Sequence, residues 1–277
     1  MRVVAALGVI AACLAWSADA PAQPASAPER KVAAPHITVE LLSTTDQPAT
    51  RQQSIALQFT IEQGWHLYWL NPGDSGSPPE VRWQLPPSVK GAPMEWPLPE
   101  RLVDDGSVNY GYRGTVVLPV SLTLPASAGT AALAVRADVE WLVCRNLCVA
   151  GKAALGLTLP LDPADRALVP QWRQLIARAR RQVPRPAPAS WKATARSTKD
   201  SFVLEVSTGY REVEGTVFPM DVSQIDDGAP QGVAPLPAGL RFTLRKSQQL
   251  MKDPATLRVV VSLSGGRTGI VDVAVGR

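Results

Sequence analysis

The sequence predicts an all-β protein made of two tandem β-sandwiches that are joined by a short helix and a Pro-rich linker. Three observations support this fold class. Short segments of alternating apolar and polar residues recur along the chain, turn-forming clusters such as residues 71–74 separate them, and a convincing helical pattern is found only at residues 170–182. Because alternation with a period of two is typical of strands that bury one face, we expect antiparallel sandwiches.

The N-terminus resembles a secretory leader. Residues 1–22 begin with a basic residue, continue with an apolar run that is too short to span a bilayer, and end in small residues. We therefore predict a signal peptide at residues 1–22, a flexible Pro/Ala segment at 23–35 and an exported, periplasmic protein. Cys13 would be removed with the leader, and lipoprotein anchoring through Cys13 is the alternative.

The first predicted sandwich covers residues 36–162. Its alternating segments are residues 37–42, 54–61, 65–70, 80–85, 115–124, 131–143 and 154–159. A helix and a linker follow at residues 163–189, because Trp172, Ile176 and Ala179 fall on one helical face and a Pro-rich run comes next. The second, smaller sandwich is predicted for residues 190–277, with alternating segments at 201–207, 240–244, 257–263 and 269–275.

Composition excludes several function classes. The chain of 277 residues has a formal charge of +4 and no Lys/Arg block interleaved with aromatic residues, so we expect no nucleic-acid partner and only an indirect relation to membranes. With two histidines, no Ser/His/Asp arrangement is defensible, and neither a Gly-rich phosphate loop nor a metal-ligand spacing is found. No cofactor and no metal are predicted.

Cys144 and Cys148 are the candidate catalytic residues. They are the only cysteines that remain once the leader is removed, so they can pair only with each other. If residues 145–147 form a hairpin loop, the two cysteines lie nearly opposite each other on neighbouring strands, where a bridge can form under strain. Strained, accessible disulfides are typical of redox-active rather than structural bonds. The alternation also predicts that both sulfurs point away from the core.

Two other interpretations of the cysteine pair stay open. The bond could be a structural disulfide in an interaction protein, but it would add little to the free energy of unfolding, because it closes a very short loop. Two thiolates could instead bind copper in a periplasmic copper-handling module, together with Met94, Met220 or His66.

One charged residue lies in the predicted hairpin loop and another in the strand before it. Arg145 would favour a neighbouring thiolate, whereas Glu140, on the same strand face as Cys144, would oppose it or accept a proton. Trp65, Tyr68, Trp69 and Trp83 are expected in the core or between the sheets. His66 is expected to be a satisfied or surface histidine, and a place near the thiols is the alternative.

Four segments resemble the N-terminal periplasmic part of the DsbD/ScsB thiol:disulfide reductases. They are residues 64–76 with Pro78, Pro79 and Trp83, residues 109–120, the cysteine segment 143–149, and residues 217–220 with 225–231. The C-x-x-x-C spacing is that of the ScsB branch, so we expect a stand-alone chain closest to that branch.

The resemblance implies an immunoglobulin-like fold whose hairpin cysteines relay electrons. The donor would be a DsbD- or CcdA-like membrane protein, and the clients would be periplasmic proteins of thioredoxin fold. It also implies a cap that shields the sulfurs until a partner docks. The residues assigned to this cap or to its neighbourhood are Asp104, Asp105, Asn109, Tyr110 and Tyr112. Residues 104–110 are polar and turn-prone, so the sequence by itself predicts an ordinary loop there.

Overall fold

The computed structural model describes residues 28–47, 52–104, 106–125, 132–159 and 170–276. The predicted signal peptide, Cys13 and Asp105 lie outside these residues. Within them, strands alternate with turns and one α-helix is present, which confirms the predicted all-β class with immunoglobulin-like sandwiches. No helix in the described ranges is long and apolar enough to cross a membrane.

The N-terminal sandwich consists of two sheets. Its strands in chain order are β1 (Lys31–Ala34), β2 (Ile37–Gln47), β3 (Gln52–Ile61), β4 (His66–Gly73), β5 (Glu80–Gln84), β6 (Lys90–Gly91), β7 (Glu100–Asp104), β8 (Ser107–Tyr112), β9 (Thr115–Thr123), β10 (Leu133–Cys144) and β11 (Cys148–Leu159). The first sheet has the order β1-β2-β3-β9-β6. The second has the order β11-β10-β4-β8-β7, and β5 pairs with another stretch of β10.

Side-chain alternation fixes which faces of the two sheets meet. Along β10, the odd-numbered residues from Leu133 to Val143 are buried, whereas most even-numbered ones are exposed or half-buried. Leu57 and Leu118 of the first sheet and Leu67 and Trp141 of the second all belong to one hydrophobic cluster between the sheets. Burial of these apolar side chains is the main favourable term for the sandwich.

The α-helix of the described ranges, α1 (Pro170–Gln182), covers the outer face of the first sheet. Trp172, Ile176 and Ala179 pack on apolar residues of β2, β3 and β9, as their helical spacing predicts. Arg180 lies at the helix end near the sheet and donates hydrogen bonds to Glu95, Ser54 and Ser121.

The C-terminal region forms one continuous path of seven strands that surrounds a second hydrophobic cluster. Its strands are β12 (Lys192–Ser197), β13 (Ser201–Ser207), β14 (Gly215–Pro219), β15 (Gly232–Leu236), β16 (Gly239–Arg245), β17 (Thr256–Leu263) and β18 (Thr268–Gly276). Aromatic residues of β13 and β16, Phe202 and Phe242, share this cluster with Val259 and Val261 of β17.

The linker is part of the structure rather than a free spacer. Ala187 N–H donates to Ile270 O (2.9 Å), and Ile270 N–H donates to Arg185 O (2.8 Å). The C-terminal region also contributes Phe218 to the core of the N-terminal sandwich, where its ring lies edge-on to Trp69 and Tyr110. The two regions therefore share a packed interface.

Parts of two stretches that were predicted to be irregular form strands. Lys31–Ala34, at the end of the segment predicted to be flexible, pairs with β2 over four residues, and Arg30 and Lys31 form ion pairs with Glu40. The polar stretch 104–110, predicted as a loop, is largely a β-hairpin in which Val103 pairs with Val108. Gly106 allows its turn, because its φ of 80° is readily adopted only by glycine.

A buried carboxyl group, Asp227, closes the interface between the two regions. Tyr110 O–H donates to Asp227 Oδ1 (3.0 Å), and Arg101 Nη2 donates to the Asp227 carbonyl oxygen (3.2 Å). Burial raises the pKa of Asp227 to about 6, and Asp74 and Asp226 add to this effect, which the Tyr110 hydrogen bond and Arg101 oppose. The folded protein therefore binds the proton of Asp227 more tightly than the unfolded chain does.

The pKa shift of Asp227 predicts a pH-dependent stability. Because the folded pKa lies above the unfolded value of 3.8, the ionised carboxylate destabilises the fold above about pH 6, and this penalty fades as the pH falls towards 4. Asp227→Asn, whose amide oxygen still accepts from Tyr110, should remove the penalty. Urea unfolding should show a larger gain in stability for the variant at pH 7.5 than at pH 4.5.

The matched control for this experiment is Asp272→Asn, which removes an exposed carboxylate that pairs with Arg258 at 3.5 Å. It separates the loss of one negative charge from the effect of the buried site. An equal effect of Asp227→Asn at both pH values would contradict the assignment.

Candidate functional site

The two cysteines form a disulfide at the β10–β11 hairpin. Cys144 ends β10, Cys148 begins β11, and the two residues are directly opposite each other, with Cα atoms 4.1 Å apart. Arg145 N–H donates to Leu147 O (3.0 Å) and closes the three-residue turn. The predicted hairpin and pairing are thus present.

The two sulfur-bearing residues differ in exposure. Cys144 is only 2% exposed, whereas Cys148 is exposed and the adjacent Leu147 is 61% exposed. Cys144 lies outside the inner hydrophobic cluster, on the face predicted for both sulfurs, but its neighbours bury it there. The reason is strand order: β10 is flanked by β11 and β4, whereas β11 is the last strand of the sheet, so Cys144 has neighbours on both sides.

Tyr68 of β4 lies beside the disulfide. Its hydroxyl is 3.8 Å from Cys148 Sγ, and because a disulfide sulfur carries no proton, the hydroxyl is the donor. Burial raises the pKa of Tyr68, and a hydrogen bond with Ser75 opposes this rise, so the phenol keeps its proton at neutral pH. The ring packs against Gly76 so closely that a Cβ there would lie 2.1 Å from Tyr68 Cζ.

His66 is the β4 residue directly opposite Cys144. It is 7% exposed, its ring lies edge-on to Tyr68 with centroids 5.0 Å apart, and its Nε2 has no hydrogen-bond partner among the described residues. Burial lowers the pKa of His66, Arg113 lowers it further, and Asp104 raises it. The expectation of a satisfied or surface histidine is therefore wrong.

The hairpin that was assigned to the cap makes hydrogen bonds to the segment that packs against Tyr68, the residue beside the disulfide. Asn109 Oδ1 accepts hydrogen bonds from the backbone N–H and the hydroxyl of Ser75, both at 3.1 Å. Val108 N–H donates to Asp74 Oδ2 (2.7 Å). These bonds hold the segment that ends at Gly76, which packs on Tyr68. Asp104 lies close enough to His66 to affect its pKa.

Tyr110 and Tyr112 face the opposite side of the sheet from Cys144. Both belong to the inner cluster. Tyr112 is opposite Leu67, and Leu67 is opposite Val143, so Tyr112 shares the inward face of Val143 and not the outward face of Cys144. Tyr112 O–H donates to Pro97 O (2.7 Å), and burial raises the pKa values of both phenols. The structure therefore does not place these two tyrosines next to the sulfurs.

The two charged candidates lie in strand β10 and in the turn that follows it. Glu140 is exposed on the outer face of β10 and, with Leu142 and Pro78, lines a cavity of about 540 Å3 along the hairpin. Arg145 is an exposed turn residue whose side chain lies over Gly64, where a Cβ would lie 3.6 Å from Arg145 Cδ.

Of the residues proposed as further copper ligands, only His66 lies beside the cysteine pair. Met94 and Met220 pack against the inner core, on the side opposite Cys144. The described residues contain no group of three or more His, Cys, Asp or Glu side chains that could hold a metal ion.

Sequence reasoning missed Tyr68 as a neighbour of the disulfide and gave His66 that place only as an alternative. The alternation along the strand indicates that both face outward, because they alternate with the inward residues Trp65, Leu67 and Trp69. That signal places them on the outer face but not beside the cysteines, since only the pairing of β4 with β10 does so.

Comparisons with known proteins agree with this geometry. Residues 38–160 match the sequence profile described as thiol:disulfide interchange protein DsbD, N-terminal. The crystal structure of the N-terminal periplasmic domain of ScsB from Proteus mirabilis superposes with a TM-score of 0.69 and 18% identity, over 89% of this chain and 97% of that chain. This second match shows a shared fold over nearly the whole of both chains.

Two further comparisons add nothing to the assignment. The CupB2 chaperone of Pseudomonas aeruginosa aligns over 82% of this chain and 94% of its own, at 13% identity and a TM-score of 0.22, which supports no argument. No curated protein matches the chain. Residues 38–160, which carry the disulfide beside Tyr68 and His66, are thus similar in sequence to the N-terminal domain of the DsbD family.

Proposed function

We propose that the chain is a periplasmic thiol:disulfide interchange protein that relays electrons through Cys144 and Cys148. One observation carries the proposal: the disulfide joins an exposed sulfur-bearing residue on an edge strand to a buried one inside the sheet. A partner thiol can approach Cys148, whereas Cys144 is within reach of Cys148 but withdrawn from solvent. This arrangement suits two-step exchange, because one sulfur binds the partner and the other resolves the intermediate.

The exchange begins when a donor thiolate attacks Cys148 Sγ. The Cys144–Cys148 bond breaks, Cys144 leaves with the electron pair, and a mixed disulfide joins Cys148 to the donor. A second thiol of the donor then attacks the donor sulfur that is bonded to Cys148, and Cys148 is released as a thiolate. The donor is oxidised by two electrons, and the cysteine pair gains two electrons and two protons. The same steps in reverse reduce a client disulfide.

A purely structural role for the disulfide is disfavoured by the hairpin itself. The strands β10 and β11 are paired in continuous register from Leu133 and Leu159 to the two cysteines, so the backbone already holds their ends together. A bond between residues four apart closes a minimal loop, and the chain-entropy estimate for such a loop is about 2 kcal/mol. This is the lower end of what disulfides contribute.

The proposed location and partners rest on the similarity to the DsbD and ScsB proteins. DsbD N-terminal domains belong to thiol:disulfide interchange proteins, and the ScsB structure is named as a periplasmic domain. We assign this chain to the periplasm, with a DsbD- or CcdA-like membrane protein as electron donor and proteins of thioredoxin fold as clients. Exposed Leu147, next to Cys148, offers an apolar contact to either partner.

The first test uses single-cysteine variants. Cys144→Ser should accumulate a mixed disulfide with a thioredoxin-fold protein of the periplasm, because Cys148 can bind the partner and no thiol resolves the bond. Cys148→Ser is the matched control, which keeps only the buried sulfur and should trap at least about tenfold less. Non-reducing gels followed by mass spectrometry measure the adducts. A Cys144→Ser variant without any thiol-dependent adduct would argue against the relay.

The second test concerns the shield on Cys148. Gly76 has a φ of 84°, and a methyl group there would collide with Tyr68, so Gly76→Ala should displace the ring that lies beside the sulfur. We expect alkylation of the reduced protein to become several-fold faster. The rate is measured with a bulky maleimide under pseudo-first-order conditions.

Gly209→Ala is the control for the shield experiment. Gly209 has a similar φ of 81°, but a Cβ there would meet nothing within 4 Å. Both variants bear the cost of a non-glycine residue at positive φ, on the order of 1 kcal/mol, so their melting temperatures calibrate the general destabilisation. Equal alkylation rates in the two variants would show that Tyr68 does not shield Cys148.

A further inference from the structure

His66 combines three properties that the structural role of a core histidine does not explain. It is buried, its Nε2 has no hydrogen-bond partner among the described residues, and it is directly opposite Cys144 on the neighbouring strand. Opposite residues of an antiparallel pair have Cβ atoms about 4.5–5.5 Å apart on the same face of the sheet. The imidazole is therefore within reach of the buried sulfur.

The surroundings of His66 keep its ring neutral. Burial is the largest influence that lowers its pKa, Arg113 at the end of β8 acts in the same direction, and Asp104 at the end of β7 opposes them. Tyr68, on the same strand, presents an uncharged ring edge to it. A neutral imidazole has a lone pair on one ring nitrogen and can accept a proton.

Cys144 needs such an acceptor. When a partner is bound to Cys148, the thiol of Cys144 must lose its proton before it can attack, because the thiolate is the nucleophile. Cys148 is exposed and can exchange its proton with water, whereas Cys144 is 2% exposed. Burial in apolar surroundings disfavours the thiolate, so a local base is required for fast resolution at neutral pH.

We propose that His66 is the proton acceptor for Cys144, with Nε2 taking the thiol proton as Cys144 attacks the mixed disulfide on Cys148. The Cys144 sulfur forms the bond to Cys148 Sγ, the bond between Cys148 and the partner breaks, and the partner leaves as a thiolate. The cysteine pair is oxidised and the partner is reduced by two electrons. In the opposite direction, protonated His66 returns the proton to the departing Cys144. This role rests on the proposed exchange function.

A single-turnover reaction with 5,5′-dithiobis(2-nitrobenzoate) isolates this step. Reduced Cys148 displaces the first thionitrobenzoate, and the attack of Cys144 on the resulting mixed disulfide releases the second. His66→Phe keeps an aromatic ring against Tyr68 but removes the nitrogen base. At pH 7 we expect the second release to slow by about tenfold or more, since general-base catalysis contributes on that scale, while the first release stays within about twofold. At pH 9.5 the difference should shrink, because hydroxide can ionise Cys144.

His36→Asn is the matched histidine control. His36 stacks on Trp65 at 3.7 Å and bonds to Glu62, so it has its own partners, and Asn tolerates its φ of 64°. This variant should leave both releases unchanged. Thermal melts establish that each variant is folded, and His66→Gln, which has no basic nitrogen, replaces His66→Phe if the latter does not fold.

Two outcomes would overturn the assignment. A second release that is as fast in the His66 variant as in the wild type at pH 7 would show that His66 takes no proton. Equal slowing of both releases, or slowing that persists unchanged at pH 9.5, would indicate a structural effect. Because the reagent is a small molecule, failure of partner trapping by Cys144→Ser would disprove the relay without affecting this result.

Discussion

The order of strands in the second sheet of the N-terminal sandwich determines the chemistry of this protein. Strand β11 is at the end of the sheet and β10 is inside it, so the two halves of one disulfide have different surroundings. Cys148 faces solvent next to Leu147, whereas Cys144 lies beside β4 and His66. A single covalent bond thereby connects an accessible exchange site with a protected one, which is what ordered, two-step thiol chemistry requires.

The shield around the sulfurs depends on contacts that extend into the C-terminal region. Tyr68 rests on Gly76, and the segment that leads to Gly76 is held by Asn109 and by the buried side chain of Asn71. Asn71 Nδ2 in turn donates to the carbonyl oxygen of Pro219, at 2.9 Å. Together with the Tyr110–Asp227 hydrogen bond, this contact joins the C-terminal region to the strands that flank the disulfide. These contacts of the C-terminal region thus help to hold the site in place, and they do not include a reactive group.

Alternation and turn chemistry were sufficient to predict the all-β class, the helix at residues 170–182 and the hairpin at Cys144 and Cys148. They could not predict the different exposure of the two cysteines, because a period of two gives the face of a strand but not its neighbours in the sheet. The same limit concealed His66, whose place beside Cys144 results from pairing between strands some 80 residues apart in sequence. Segment 104–110 was predicted as a loop because its polar residues suggested a turn, yet pairing with β7 and the bond from Val108 to Asp74 make most of it a strand.

Selective labelling of the two cysteines tests the central claim most directly, because both the exchange mechanism and the role of His66 require them to be inequivalent. The reduced wild-type protein is treated with a limiting amount of iodoacetamide, and mass spectrometry of the peptides gives the modified fraction at each cysteine. The account predicts that Cys148 is modified first and that Cys144 reacts at least about tenfold more slowly, since Cys144 is buried and the reagent cannot easily reach its sulfur. Equal modification of both residues, or faster modification of Cys144, would contradict it.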